Sequence, residues 1–280
     1  MSSNGKPPAE DGGGRDGVAT QDLAGMLTDL DLHPAPRPAS LMQRVAAQAE
    51  FDTRMMLHNG EQLTLTIVLP AMMIVGFRFT TVPYLGPGRR IDVATPGVIA
   101  LGVLSTAFTG LAIGTGFDRR YGVLRLLGTT PLGRGGLLAG RTMALLLVAV
   151  VQLVVFGVVG LALGWEPNLA GLLNAWVFII VGTIAFASLG MLLAGTMRAE
   201  AVLPAANLIW VVFIVVGGAV IPAERLGWIG KIAEWLPSAA LGHALRACFA
   251  SGVLLFQPLL VLAVWAALGV AAAARWFHWD

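Results

Sequence analysis

The residues of this 280-residue chain that first invite a chemical reading are Gly135 to Thr142, GGLLAGRT. Their glycine spacing is that of a phosphate-binding P-loop, with Arg141 where lysine belongs. A P-loop follows a buried strand and opens a soluble helix, so that backbone N–H groups face the phosphates. Here the segment runs directly into a long apolar stretch, and it reads as a flexible glycine-rich start to a membrane span. No other nucleotide motif occurs, so the chain is not expected to hydrolyse ATP alone. An intramembrane hydrolase would need a nucleophile, a base and oxyanion donors, or a metal cluster, and neither GxSxG nor HExxH is present. His33, His58, His243 and His278, with the single Cys248, lack metal-ligand spacing, and one cysteine allows no internal disulfide. No catalytic residue, no metal and no bound cofactor is therefore expected.

The remaining polar groups of interest lie inside apolar runs: Ser105, Thr106, Thr109, Gln152, Asn174, Thr183, Ser188, Asn207 and Gln257. All are amides or hydroxyls. Proton or sodium coupling needs an ionisable or ion-coordinating group near the bilayer midplane, and these runs hold no acid. Hydrogen bonding between helices, aided by small residues such as Gly110 and Gly114, accounts for most of them. Ser105, Thr109, Gln152, Asn174 and Asn207 are the candidates for lining a translocation path. Arg78, at the end of an apolar run, reads as a side chain snorkelling to headgroups, with contact to an anion as the alternative.

What must position these groups follows from composition. The chain is 56% hydrophobic and only 12% charged, against roughly 25% charged in an ordinary soluble domain. That excludes a soluble enzyme, because so much apolar surface needs protein or lipid around it. The expected class is an all-α integral membrane protein. A net charge of +2 is too small to point to a nucleic-acid partner.

Residues 1–40 are rich in Gly, Pro and acids and read as a disordered tail, with a weak helical pattern near 20–31 at Leu23, Met26, Leu27 and Leu30. The tail lacks a basic-then-apolar leader and is expected to stay in the cytoplasm. Residues 41–60 mix Arg44, Glu50, Asp52 and Arg54 with Leu41, Val45, Phe51, Met55 and Met56, the pattern of an interfacial amphipathic helix, with Asn59-Gly60 as its left-handed cap. Six stretches then suffice to cross the bilayer, at about 62–81, 95–116, 138–164, 169–196, 201–221 and 254–276. Thr95-Pro96 reads as a cap and first helical position, Glu166-Pro167-Asn168 as a tight turn, and Pro70 as a kink. Residues 222–253 carry Glu224, Arg225, Lys231, Glu234 and Arg246 and are broken by Pro222, Gly227, Gly230, Pro237 and Gly252. Two short helices suit them, one with Leu226, Ile229, Ala233 and Leu236 on a face, the next capped by Ser238 and bearing Leu241, Ala244, Leu245, Cys248 and Phe249. Such a pair can dip into the outer leaflet and return as a re-entrant hairpin. A seventh span is the competing reading, which the charges disfavour.

Lysine and arginine set the orientation. With the N-terminus inside, Arg44, Arg54, Arg119, Arg120, Arg125, Arg134, Arg141, Arg198 and Arg275 are internal, against Arg89, Arg90, Arg225, Lys231 and Arg246 outside. Both termini are expected in the cytoplasm. In the loop FDRRYGVLRLLGTTPLGRGGLLAGR, Asp118 stands against five arginines, while Phe117, Tyr121, Leu124 and Leu127 recur at helical spacing. That predicts a short basic amphipathic helix closed by Gly128 and Pro131. It would either rest on anionic lipid or insert its apolar ridge into a partner's groove.

GFDRRYGVLRLLGTTPLGRGGLLAGR resembles the loop of type 2 permeases of ATP-binding-cassette (ABC) exporters, where an acid and two basic residues precede a Leu-Arg-x-Leu-x-x-(Ser/Thr)-Pro run. HNGEQLTLTIVLPAMM is similar to that family's first span, and AVIPAERLGWIGKIAEWLPSAALGHALR to its outer helical hairpin. The resemblance covers residues 41–280, with Asp118 where glutamate is commoner. It implies a six-span subunit that pairs with a second copy or a paralogue. Two copies of a separate ABC ATPase, which carries the ATP and Mg2+, would bind it. Phe117, Asp118, Arg119, Arg120, Tyr121, Leu124, Arg125 and Leu127 would form the coupling helix, flanked by the helix near 41–58. The implied function is export of an amphiphilic or hydrophobic cargo, such as a drug, lipid or lipid-linked glycan, across the cytoplasmic membrane by alternating access. A membrane scaffold or regulatory anchor, and then a secondary transporter or channel, are the alternatives.

Overall fold

The computed structural model of the protein describes residues 39–80, 89–128, 130–219 and 228–277. The N-terminal tail, with the helical pattern near 20–31, lies outside them, as do residues 220–227 at the start of the expected hairpin. Among the described residues every regular element is helical.

Helix α1 (Leu41–His58) opens on a capping box: the Ser40 hydroxyl accepts from the Gln43 N–H, and the Ser40 N–H donates to Gln43 Oε1. Asn59, expected as a left-handed cap, is extended instead at φ −85°. Its side chain accepts from the Gln62 N–H at 3.1 Å, so it starts the next helix rather than ending the last. That helix runs through α2 (Gly60–Leu63), a π-helical turn π1 (Thr64–Val68) and α3 (Leu69–Phe79). The π turn ends two residues before Pro70, which has no N–H to continue an α pattern.

Next come α4 (Arg90–Leu104), π2 (Ser105–Gly110) and α5 (Leu111–Arg120), then α6 (Val123–Gly128) and α7 (Gly133–Ala162). A short 3₁₀ turn, Leu169–Gly171, leads into α8 (Leu172–Thr196), followed by α9 (Ala199–Val215). The chain ends with α10 (Trp228–Ala233), α11 (Pro237–Ser251) and α12 (Phe256–Trp276). Among the described residues, four continuous helices are long and apolar enough to cross a membrane: Arg90–Arg120, Gly135–Ala162, Leu169–Thr196 and Phe256–Trp276. The expected first and fifth spans coincide with shorter apolar helices, Thr64–Phe79 and Ala199–Val215. Seventeen residues of α helix rise about 26 Å, slightly less than the roughly 30 Å of hydrocarbon.

Four local expectations are corrected. Thr95-Pro96 does not start the second span: α4 begins at Arg90, with Asp92 in its first turn complementing the helix dipole, and Pro96 lies inside it. The expected span 201–221 stops at Val215, because Gly218 turns the chain at φ 63° and Arg246 of α11 donates to the Gly218 and Ala219 carbonyls. Ser238 does not cap α11; Leu236 is the cap, Pro237 the first helical residue, and Ser238 is buried. The single helix expected over 117–127 is two pieces, since α5 carries the second span to Arg120 and the chain turns at Gly122, φ 73°.

α8 is the central element, packed along α12, α11 and α5. Phe213 of α9 meets Phe108 of π2 and Phe186 of α8 edge-on, at 5.7 and 6.0 Å between ring centroids. The face of α11 bearing Leu241, Ala244, Leu245, Cys248 and Phe249 is buried, as its spacing predicts. Val154, Val158, Leu161, Leu208, Leu268 and Val270 point outward, an apolar exterior that lipid would cover.

α1 packs along the first turns of α7, where the apparent P-loop glycines lie. A Cβ on Gly140 would stand 2.7 Å from Gln48 Cγ and 3.4 Å from the Val45 carbonyl oxygen. The run GGLLAG is helical throughout, and its glycine lets two helices approach closely instead of cradling a phosphate.

Candidate functional site

At one end of the bundle, arginines at the end of α5 and near the start of α7 make contacts within the chain. Arg119, at the end of α5, donates to the Ala194 carbonyl at 2.8 Å and to the Met197 carbonyl, so it satisfies the C-terminus of α8. Arg141 of α7 pairs with Asp118 and donates to Thr115 Oγ1 at 2.9 Å. Arg120 lies 3.6 Å from Glu200 in the first turn of α9, a half-exposed pair. Phe277, after α12, fits against Gly195, where a Cβ would collide with its ring. Five helices are thus tied together at this end by Asp118, Arg119, Arg120 and Arg141, with Phe277 adding the last.

Asp52 of α1 adds a second carboxylate to this cluster. Its Oδ1 accepts from Gln48 at 2.9 Å, while its Oδ2 is buried without a partner. Burial raises its carboxyl above the ordinary value, Asp118 adds to that, and the Gln48 hydrogen bond and Arg141 charge oppose it.

The residues expected to form a coupling helix therefore divide. Asp118, Arg119 and Arg120 are engaged within the chain. Leu124 is buried, and Leu127 is half-buried. Arg125 is exposed, as are Phe117 at 40% and Tyr121 at 72%, whose rings stack at 6.3 Å. The break at Gly122 explains the split, because Phe117 and Tyr121 share one helical end while Leu124 belongs to the next segment.

The translocation candidates do not converge on one point. Ser105 accepts from Trp210 Nε1 at 2.9 Å beside a cavity of about 300 Å³, walled by residues of π1, α3, α4, π2 and α9 that include Leu65, Pro70, Leu101 and Val211. Gln152 is 1% exposed and sits behind that wall, donating to the Thr66 carbonyl at 3.1 Å and the Gly102 carbonyl at 3.3 Å. The Thr109 hydroxyl is buried without a partner. Asn174 holds the opposite end of the bundle together through the Gly252 carbonyl at 2.9 Å. Asn207 is exposed on α9.

Trp210 and the apolar cavity wall were not singled out by sequence, because an apolar residue facing a cavity has the same periodicity as one facing lipid. The available signal was Pro70, which leaves a carbonyl seeking a donor inside an apolar run. Among the described residues no cluster of His, Cys, Asp or Glu could hold a metal ion.

No individual curated protein matches the chain. The pattern of the ABC-2 type transporter membrane domain matches residues 50–250, a range that contains α2 to α10, all but the last residue of α11, the cavity and the Asp118–Arg141 and Arg119–Ala194 contacts. The chain belongs to the ABC-2 type transporter family, as a membrane-embedded permease component.

Proposed function

We propose that this permease is the transmembrane subunit of an ATP-driven exporter, with six spans, both termini in the cytoplasm and α10–α11 as an outer-leaflet re-entrant hairpin. Two copies of a partner ATPase supply the energy, and a second copy of the permease, or a paralogue, completes the pathway. The excess of arginine at one end supports the orientation, through the positive-inside bias.

The observation that carries this reading is the junction of α5 and α6. The stacked pair Phe117–Tyr121 faces outward, while the adjacent Asp118, Arg119 and Arg120 fasten the same helix end to α7, α8 and α9. A push on the ring pair would thus move several spans together. An aromatic ridge entering a groove is a mode in which a partner can grip a helix. The apolar cavity beside Ser105 and Trp210 supports an uncharged, hydrophobic or amphiphilic cargo.

The test is co-purification of the ATPase encoded nearest this chain with Phe117→Ala/Tyr121→Ala permease. Capture of the ATPase should fall sharply while the permease stays membrane-inserted with unchanged melting. Undiminished capture and ATP-dependent transport would overturn the coupling assignment.

A further inference from the structure

Two π turns, π1 in the first apolar helix and π2 in the second, stand on either side of the same buried amide. Thr66 in π1 has no α-helical donor, because the residue four places on is Pro70. Leu69, just before the proline, bonds back five residues to the Thr64 carbonyl. The Thr66 carbonyl instead accepts from Gln152 Nε2, which reaches in from α7. The same amide contacts π2, where the Thr106 hydroxyl lies 3.4 Å from Gln152 Oε1 and itself donates to the Gly102 carbonyl. Glycine at 102 is what admits the amide, since a Cβ there would stand 3.2 Å from Gln152 Cδ and 2.8 Å from Phe156 Cε2.

The neighbours in sequence face the other way. Leu65, beside Thr66, and Ser105, beside Thr106, both line the cavity that Trp210 and Val211 close from α9. We propose that Gln152 is a positioning residue that supplies the donor Pro70 lacks and thereby holds both π turns in the register that shapes this cavity. The role rests on the cavity being the cargo-facing space of the proposed exporter. Within an apolar span, this one amide serves the Thr66 carbonyl and the Thr106 hydroxyl at once. π turns recur at functional sites, where they aim side chains that a regular helix would turn aside.

The test uses the full chain in native membranes, with Cys248→Ala removing the endogenous thiol. Val211→Cys then reports on the cavity and Val270→Cys on the outer apolar face, through their rates of labelling by N-ethylmaleimide. Gln152→Met, close in size but without an amide, is expected to change the labelling rate at position 211 several-fold and leave that at 270 unchanged. General loosening of the bundle would move both rates together, and equal rates at 211 with and without the amide would mean that it does not shape the cavity; either result overturns the proposal. Pro70→Ala restores an N–H four residues after Thr66. It should therefore raise the melting temperature, or the membrane level, of Gln152→Met by more than it raises that of the parent, and an equal effect in both backgrounds also overturns the proposal. Neither readout needs the ATPase or transport, so they stand or fall separately from the exporter reading.

Discussion

Arg119 closes the last turn of α8, donating to the carbonyls of Ala194 and Met197, 75 and 78 residues further along the chain. The end of α5 and the end of α8 are joined by one guanidinium. The loop that the sequence marks as a partner-binding surface therefore also holds the bundle together.

Removing that guanidinium leaves two helix-terminal carbonyls without a donor. Arg119→Ala should lower stability by about 2 kcal/mol, the range for a hydrogen bond to a charged group. Arg119→Glu should cost more, since it adds a negative charge at a helix C-terminus. Thermal melting of the solubilised permease checks both, and an unchanged midpoint for Arg119→Glu would show that the contact carries no weight.

Asp52 gives a pH dependence whose sign follows from its raised carboxyl pKa. Above the raised value the folded protein bears a desolvated charge that the unfolded chain does not, so the residue is destabilising at neutral pH. That penalty fades as pH falls through the raised value and is gone below the ordinary 3.8. Asp52→Asn should therefore melt higher than the parent at neutral pH, with the gap closing toward pH 3.8. A gap that widened on acidification would reverse the assignment.

The contact of α1 with α7 depends on the absence of a side chain at position 140. Gly140→Leu would drive atoms into Gln48 and the Val45 carbonyl, an overpacking cost of about 1–3 kcal/mol. α1 should then detach, and trypsin should cleave after Arg44 and Arg54 faster than in the parent. Equal cleavage rates would mean that α1 is held elsewhere.

Trp210→Phe keeps a ring in the cavity wall but removes the N–H that binds Ser105. The loss of about 1 kcal/mol should fall on substrate response and not on assembly. In the reconstituted complex, the concentration of a probe amphiphile that half-stimulates ATPase activity should shift, while the amount of ATPase captured stays constant. A response identical to the parent's would remove Ser105 and Trp210 from the cargo path.

Much of the helical order was legible in the sequence, because a run of apolar residues has to become helix in lipid and turn residues punctuate it. The starts at Leu41 and Leu169 and the end at Trp276 agree with the reading from spacing alone. Two capping assignments differ from the structure. Asn59 was read as closing α1 when it opens α2, and Ser238 as a cap when it is buried. A side chain's local capping potential says nothing about which of two adjacent helices will use it. The loop helix was misread for a related reason: Phe117, Tyr121, Leu124 and Leu127 fit one helical period, but Gly122 takes a left-handed conformation that interrupts it.

The sequence by itself determined a helix-forming chain for a bilayer, without an acid in its apolar runs and with five arginines gathered between Phe117 and Arg141. Composition and periodicity are sums over neighbours along the chain, so one chain suffices to read them. Only the tertiary structure decided what those arginines hold, why glycines 102 and 140 must lack side chains, and that Gln152 answers a carbonyl Pro70 leaves open. Each of these joins residues far apart in sequence, and an unsatisfied donor or a missing Cβ has meaning only once the group opposite is in place.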